Sequence, residues 1–564
     1  MTDFFSKWTR ENKICLWIFF LTIFVACLPL FSGNCINGHD IEYHLLRIES
    51  LKEGILIGKP FLRVNVLYFG GRGYASSLFY PDFLLYIPAV LRALGVSINL
   101  SYHLFIAFCF VAAYGATYFC TRLVTNSNMS ASLAAVMLTL AQYHLDDVYT
   151  RSAVGEYTAF IFIPFLIYGL YEIITCSLKR PYLMAIGFVG VLLCHTTTTV
   201  FAVALYGIAF LFSLKKFMHN PKEILKLMLT AIFVLLITGF YWIPVVEQLA
   251  SAKFQYSQSV FDLNYEKLLL RDVFKNQNKC MGISLFLLCI PRIFIKRDQD
   301  PKLKFADFCL ILGVLFTLGS TGMIPWSRLQ NQLSFIQFPW RLFIISSCLL
   351  SVAAAIILEN YIGKYTSDKA AQLSTMVVLV IMFTSAVMAF ARNDEGYYSY
   401  SNDYYSYIPF TGNVIGGEWL PETVTDRDAL LENCDQAVAD QGDLITVSRI
   451  QNRLTLKVAD NVEYVDVPFI YYKGYQARTE DGQKLKTTGE GENGQCRIYL
   501  ADQKEIAAQN ELLVCVTYDG TTLQKVSTIM SFVLFLVTMV VFLKKMNIIS
   551  IRKWKRHDDV AASS

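Results

Sequence analysis

Charge is what this chain has least of. Of its 564 residues 17% are charged, against 54% hydrophobic and 14% aromatic. That is well under the ~25% charge of a soluble globular domain, so a water-exposed globule is excluded. An excess of either sign is missing too: 49 Lys and Arg against 45 Asp and Glu leave a net charge of +4. The basic residues fall in short clusters between apolar runs, so they report membrane orientation and not affinity for nucleic acid; no nucleic-acid partner is expected. The 14 cysteines contain no Cys-x-x-Cys pair, which excludes the usual zinc and dithiol spacings. Most lie inside apolar runs as small hydrophobes. Cys434, Cys496 and Cys515 share the one large polar region, an odd number that allows at most one disulfide among them. No small-x-small cleavage site stands at a convincing position after the apolar run behind Lys7, Arg10 and Lys13, so that run is expected to remain as an uncleaved span. No internal repeat of the kind that marks an inverted-repeat transporter is visible.

What is present is a series of apolar runs of helix length, near 14–32, 100–122, 129–143, 157–176, 182–195, 198–214, 226–246, 280–296, 305–320, 338–359, 373–391 and 527–543. They predict a polytopic α-helical membrane protein with about twelve transmembrane helices. Residues 78–94, interrupted by Pro81, Asp82, Pro88 and Arg92, suit a surface or re-entrant helix better than a span. With that segment outside the count, clusters such as Lys179/Arg180, Lys215/Lys216 and Lys544/Lys545 all fall on one side, which places both termini in the cytoplasm. The expected plan is a transmembrane domain over 1–391 with a first outer loop at 33–99, an extracytoplasmic β-rich domain over 392–526, and a final span with a basic tail over 527–564. In the polar segment, alternation in Leu444-Ile445-Thr446-Val447 and Arg453-Leu454-Thr455-Leu456-Lys457-Val458 reads as strands, and a small β-sandwich fits. Its leading tyrosines, Tyr397, Tyr398, Tyr400, Tyr404, Tyr405 and Tyr407, suit either stacking on sugar rings or an interfacial belt.

The stretch Gly38-His39-Asp40-Ile41-Glu42-Tyr43-His44-Leu45-Leu46-Arg47 follows the first span and concentrates titratable groups. Helical spacing puts Asp40, His44 and Arg47 on one face, which suits a general base and its charge partners. The alternative is an amphipathic helix in the headgroups with Leu45, Leu46, Ile48 and Leu51 in lipid. Asp40 is the natural base, Glu42 and Asp82 are runners-up, and His39 or His44 orients it. Asp40, His39 and His44 are metal-ligand types and could form a divalent-metal site, yet their spacing matches no metal signature, so no cofactor is expected and a divalent metal is the alternative. A second polar loop holds Asp146, Asp147, Arg151 and Glu156. Arg151, Arg341 and Arg72 suit a phosphate or diphosphate through their planar forks of donors, and each also reads as an interfacial anchor. Arg63 is another outer-face cation. His195, before four threonines, is a weaker site candidate.

The order of these motifs along the chain resembles the GT-C class of integral-membrane glycosyltransferases. Arg151-Ser152-Ala153-Val154-Gly155-Glu156-Tyr157, Tyr241-Trp242-Ile243-Pro244, Gln337-Phe338-Pro339-Trp340-Arg341 and Tyr472-Lys473-Gly474-Tyr475 are similar to the bacterial YfhO-type branch. The resemblance implies a polyprenyl-phosphate sugar donor, an envelope glycopolymer or lipid acceptor, transfer at the outer face of a bacterial plasma membrane, and an acidic first-loop residue, here Asp40, as base. The first loop lacks the D-x-D metal motif of the oligosaccharyltransferase branch, which implies a metal-independent member. A transporter or flippase for a lipid-linked or anionic substrate is the competing reading; it expects ionisable groups spread through the bilayer, whereas these crowd one face.

Overall fold

The computed structural model describes residues 9–255, 261–296, 300–365, 368–404, 417–450, 452–459, 462–500 and 511–561. Tyr405, Tyr407 and Lys7 lie outside the described residues. Several helices begin where a short polar side chain accepts from a free N–H of the first turn, or where a proline leaves one fewer N–H to satisfy. Thr9 accepts from Asn12 N–H at 3.2 Å to open α1 (Arg10–Ala26). After α2 (Ile41–Leu56), Ser97 opens α3 (Ile98–Thr125) and Ser127 opens α4 (Asn128–Thr139). Two short helices follow, α5 (Gln142–Tyr149) and α6 (Val154–Ala159), and then α7 (Ile163–Thr175). Proline leads α8 (Pro181–Leu192), which precedes α9 (Thr196–Met218). It also leads α10 (Pro221–Ile237), which bends by 70° into α11 (Gly239–Ser251), and α12 (Pro301–Gly319). The bundle is completed by α13 (Phe343–Tyr365), α14 (Asp368–Arg392) and α15 (Thr522–Ala561).

Among the described residues five helical stretches are long and apolar enough to cross a membrane, Ile98–Thr125, Thr196–Met218, Pro339–Ile362, Gln372–Arg392 and Thr522–Lys544, with the bent α10–α11 pair a sixth. The expected count of about twelve is therefore not met by full-length spans. Several of the other apolar runs are cut into pieces of 10–17 residues, such as Asn128–Thr139, Ile163–Thr175 and Pro181–Leu192, where polar residues or prolines interrupt them. Residues 78–94 form short pieces around Pro81. Burial ranks the spans: 89% of the Pro339–Ile362 window lies inside the protein against 11% for Thr522–Lys544, so α13 is the centre of the bundle and α15 its lipid-facing edge. Small residues let α13 sit there. Ser346, Ser347, Ser351 and Ala353 to Ala355 are fully buried, and on the facing α12 a Cβ at Gly313 would meet Leu350 at 2.8 Å.

Residues Cys35–Ile36 (β1) return from α1 and pair antiparallel with Tyr397–Tyr398 (β2). The C-terminal strands are β3 (Gln436–Ala439), β4 (Leu444–Thr446), β5 (Ser448–Ile450), β6 (Arg453–Ala459), β7 (Tyr464–Ile470), β8 (Tyr475–Thr479), β9 (Lys484–Thr488), β10 (Gln495–Tyr499) and β11 (Glu511–Tyr518). They form one antiparallel sheet in the order β4-β3-β7-β10-β9-β8-β11-β6-β5, and β4 packs back against β6. This corrects the expected sandwich to a nearly closed barrel. Alternation is visible in β6, where Leu454, Leu456 and Val458 are buried between exposed Arg453 and Lys457, but alternation is the same for two stacked sheets and for one sheet that curls. Leu454 lies opposite Val516 and Leu456 opposite Val514, which fills the barrel interior. All fourteen cysteines are free thiols.

Candidate active site

Asp40 stands at the head of α2, fixed by the backbone on both sides. His39 N–H donates to Thr150 O at 3.1 Å and Asp40 N–H to Arg151 O at 2.9 Å, so the loop is stitched to the turn between α5 and α6. Asn37 N–H donates to Gly396 O at 2.7 Å, which ties the same loop to the segment after α14. Gly38 is required by this closeness: a Cβ there would run into Ser152 Oγ and meet Thr150 O at 3.0 Å. An aspartate in this position ordinarily accepts from the first helical turn. Asp40 makes no such cap, and its half-buried carboxyl has no hydrogen-bond partner among the described residues. Burial raises its pKa, against the pull of the Arg151 and Arg341 guanidiniums and with the Glu156 charge adding to the rise.

The charges that act on Asp40 come from two further segments. Glu156 accepts from Arg151 Nη2 at 2.8 Å, from Arg341 Nε at 2.8 Å and from the Tyr143 hydroxyl at 2.9 Å. Burial works to raise Glu156, but Arg151 and then Arg341 outweigh it and hold the carboxyl below its ordinary value. Arg151 also pairs with Asp147 at 2.5 Å, and its guanidinium lies 4.4 Å from the Trp340 ring centroid. Burial, then the Glu156 charge, pushes Asp147 up. Arg341 Nη1 donates to Gln337 Oε1 at 2.6 Å and Ile336 O at 3.0 Å, leaving Nη2 without a hydrogen-bond partner among the described residues. Two non-glycine residues with positive φ, Ser152 (52°) and Gln337 (62°), bend the backbone at this point, a strain that packing must hold in place. Gly155 lets α6 approach: a Cβ there would strike the Tyr80 hydroxyl and meet Cys194 O at 2.9 Å. His195, next along, bonds through Nδ1 to Thr198 Oγ1 at 2.7 Å. Burial pushes its imidazole down to about 3, so it is neutral.

The other expected site residues go elsewhere. His39 Nε2 contacts Glu395 Oε1 at 3.1 Å, and its charge bears on Asp40. Glu42 turns to Tyr404, whose hydroxyl donates to it at 3.4 Å. His44 is buried, and its Nδ1 takes a hydrogen bond from Arg47 Nη1 at 3.1 Å; Arg47 in turn pairs with Asp82 at 2.5 Å and lies 4.4 Å from the Tyr80 ring centroid. His44, pushed down by burial and then by Arg47, is neutral and Asp82 is spent on Arg47, so neither is available as the base. Leu45, Leu46, Ile48 and Leu51 are fully buried in protein, which overturns their placement in lipid. Asp146 faces away and accepts from Lys279 N–H at 2.8 Å. Arg72 does not join the cluster: three glycines of positive φ, Gly70, Gly71 and Gly73, carry its loop to the barrel, where Nη2 donates to Glu432 O at 2.8 Å.

Sequence reasoning missed Glu418, Tyr143 and Tyr80. Gln337 Nε2 donates to Glu418 Oε1 at 3.0 Å, and burial raises the Glu418 carboxyl against the opposing Arg341 charge, with Asp40 adding to the rise. Among the described residues no three His, Cys, Asp or Glu side chains converge as metal ligands would. The arrangement offers an unbonded carboxyl of raised pKa within the electrostatic reach of a guanidinium that has a free donor, a combination suited to deprotonating a hydroxyl near an anion.

A family model described as "6-pyruvoyl-tetrahydropterin synthase related domain; membrane protein" matches residues 78–392, which contain Arg151, Glu156, His195 and Arg341. An uncharacterized protein of Lactococcus lactis subsp. cremoris (strain MG1363) is 27% identical over 274 residues, or 46% of this chain; the match spans 43% of that protein's length. The cryo-EM structure of arabinofuranosyltransferase AftD from mycobacteria aligns with a TM-score of 0.44 and 16% identity, covering 67% of this chain and 27% of that one. The crystal structure of the Archaeoglobus fulgidus oligosaccharyltransferase with Zn and sulfate aligns with a TM-score of 0.37 and 12% identity, covering 68% of this chain and 53% of that one.

Proposed function

The chain belongs to the membrane-protein family described as 6-pyruvoyl-tetrahydropterin synthase related domain, and from that premise we propose that it is a membrane glycosyltransferase of GT-C type. It takes a sugar from a polyprenyl-phosphate donor and passes it to an envelope acceptor on the outer side of a bacterial plasma membrane. The observation that carries this reading is the Asp40 carboxyl, without a hydrogen-bond partner among the described residues, tied through its backbone to Arg151 and within electrostatic reach of the Arg341–Glu156 pair, three segments distant in sequence.

In the reaction the acceptor hydroxyl loses its proton to Asp40 while its oxygen attacks the anomeric carbon. The bond from that carbon to the phosphate oxygen breaks on the opposite face, which inverts the centre, and polyprenyl phosphate leaves with the bonding electrons. A raised pKa makes Asp40 a stronger base than an ordinary carboxylate, which suits a sugar hydroxyl near neutral pH. Arg341 Nη2 is the donor left for the departing phosphate. Arg151 is a positioning residue, since Asp147 and Glu156 take its terminal nitrogens and Glu156 then fixes Arg341. The test is direct. Purified protein in lipid, given a panel of polyprenyl-phosphate sugars and envelope acceptors, should form a glycosidic product; movement of the donor across the bilayer with no product would instead make it a transporter.

A further inference from the structure

Away from Asp40, a cavity of about 470 Å³ opens where residues 59–66, the barrel at Phe469, Tyr475 and Tyr518, and the first turns of α15 meet. That volume lies within the range of small-ligand sites. Leu62, Val64, Phe469 and Ile529 make part of its wall apolar, and Ile529 continues into the exposed Phe532 and Val533 of the lipid-facing span.

Arg63 is the charge inside. Its Nη2 donates to Phe240 O at 3.2 Å and Thr528 Oγ1 at 3.1 Å, and among the described residues it makes no ion pair. Glu247, whose charge reaches it, is already bonded by Thr521 Oγ1 at 2.8 Å and Gln524 Nε2 at 3.1 Å, and lies 3.8 Å from Lys473. Lys59 and Lys525 stand exposed at the rim, with Asp519 4.0 Å from Lys59 as partial compensation. A half-buried guanidinium beside an apolar wall, at the end of a membrane span, lacks the anion that would offset its lost hydration.

We propose that this cavity binds the phosphate of an anionic phospholipid, with Arg63 as the donor fork, Lys59 and Lys525 at the rim, and the acyl chains running along α15 from Ile529. The lipid then ties the first loop, the barrel and the last span together at the membrane surface. This is independent of the glycosyl-transfer reading, because it concerns other residues and is read by binding.

The experiment titrates the full-length protein in mild detergent with phosphatidylglycerol or phosphatidylcholine of identical chains and counts retained lipid by native mass spectrometry. Phosphatidylglycerol should bind about tenfold more tightly, and Arg63→Gln should abolish the preference. Inorganic phosphate at millimolar concentration should not displace the lipid; equal competition would mean a soluble phosphate site and overturn the lipid assignment. Should Arg63→Gln fail to fold, the double variant Lys59→Gln/Lys525→Gln, on exposed residues, still decides. Loss of most of the preference supports the proposal, and an unchanged preference, like equal binding of the two lipids by the wild type, overturns it.

Discussion

Replacing Glu156 with Gln keeps the shape of the side chain and removes the one negative charge that joins both arginines. Glu156 is buried and accepts two guanidinium hydrogen bonds at 2.8 Å and one from Tyr143 at 2.9 Å. Removing one partner of a buried ion pair costs about 3–5 kcal/mol. Glutamine keeps one acceptor, so the lower end applies, and about 3 kcal/mol is roughly a hundredfold loss in the folding equilibrium. The sign with pH is fixed by the direction of the shift. Glu156 is held below its ordinary pKa, so its contribution is full above the unfolded value of ~4.3 and is lost as pH falls through the lower folded value. Wild type and variant should differ by a constant amount from pH 5 to 8 and converge only in strong acid. Unfolding of the detergent-solubilised proteins, followed by tryptophan fluorescence across that range, reads the difference. A loss no greater than that of exposed Glu432→Gln, or a gap that widens below pH 4, would refute the reasoning.

Arg341→Ala should weaken binding of a polyprenyl-phosphate sugar about tenfold or more, the value of a charged hydrogen bond, with Lys restoring part; unchanged affinity in a binding titration makes Arg341 a scaffold for Glu156 only. Gly155→Ala should destabilise by about 1–3 kcal/mol in a thermal melt, because its Cβ meets the Cys194 carbonyl at 2.9 Å and displaces Tyr80; a neutral melt would mean that the helices separate freely. Cysteine introduced at exposed Lys484, in the strand after the β8–β9 turn, should react with an impermeant maleimide on intact cells, and labelling only after lysis would put the barrel inside.

Composition was enough to read a membrane protein, and period-two alternation enough to find strands over 444–450 and 453–458, though not the barrel's later strands. What stayed hidden was set by contacts between distant segments. The order of strand pairing has no local signature, so the closure of the barrel could not be read. Turns such as that at Ser152 and the 70° bend after Ile237 depend on the packing around them, so several apolar runs looked like spans that they do not complete. In the first loop the helical period was right, but α2 begins after Asp40, and His44 and Arg47 turn toward Asp82 instead of the base. Arg151, Glu156 and Arg341 were legible as charged residues in apolar surroundings. Glu418 was not, because it sits in a polar segment and is bonded to the site through Gln337, 81 residues away.

The central claim is that Asp40 removes the acceptor proton, and the pH dependence of single-turnover transfer tests it most directly. Only the deprotonated carboxylate acts as base, and burial raises its pKa, so the wild-type rate should climb with pH along a limb displaced above the ordinary ~3.9 of an aspartate. Asp40→Asn should lower the plateau by about 100- to 10,000-fold and remove that limb, while donor binding stays near wild type. Transfer at the full rate by Asp40→Asn, with the limb intact, would contradict the account and move the base to another carboxyl of the site.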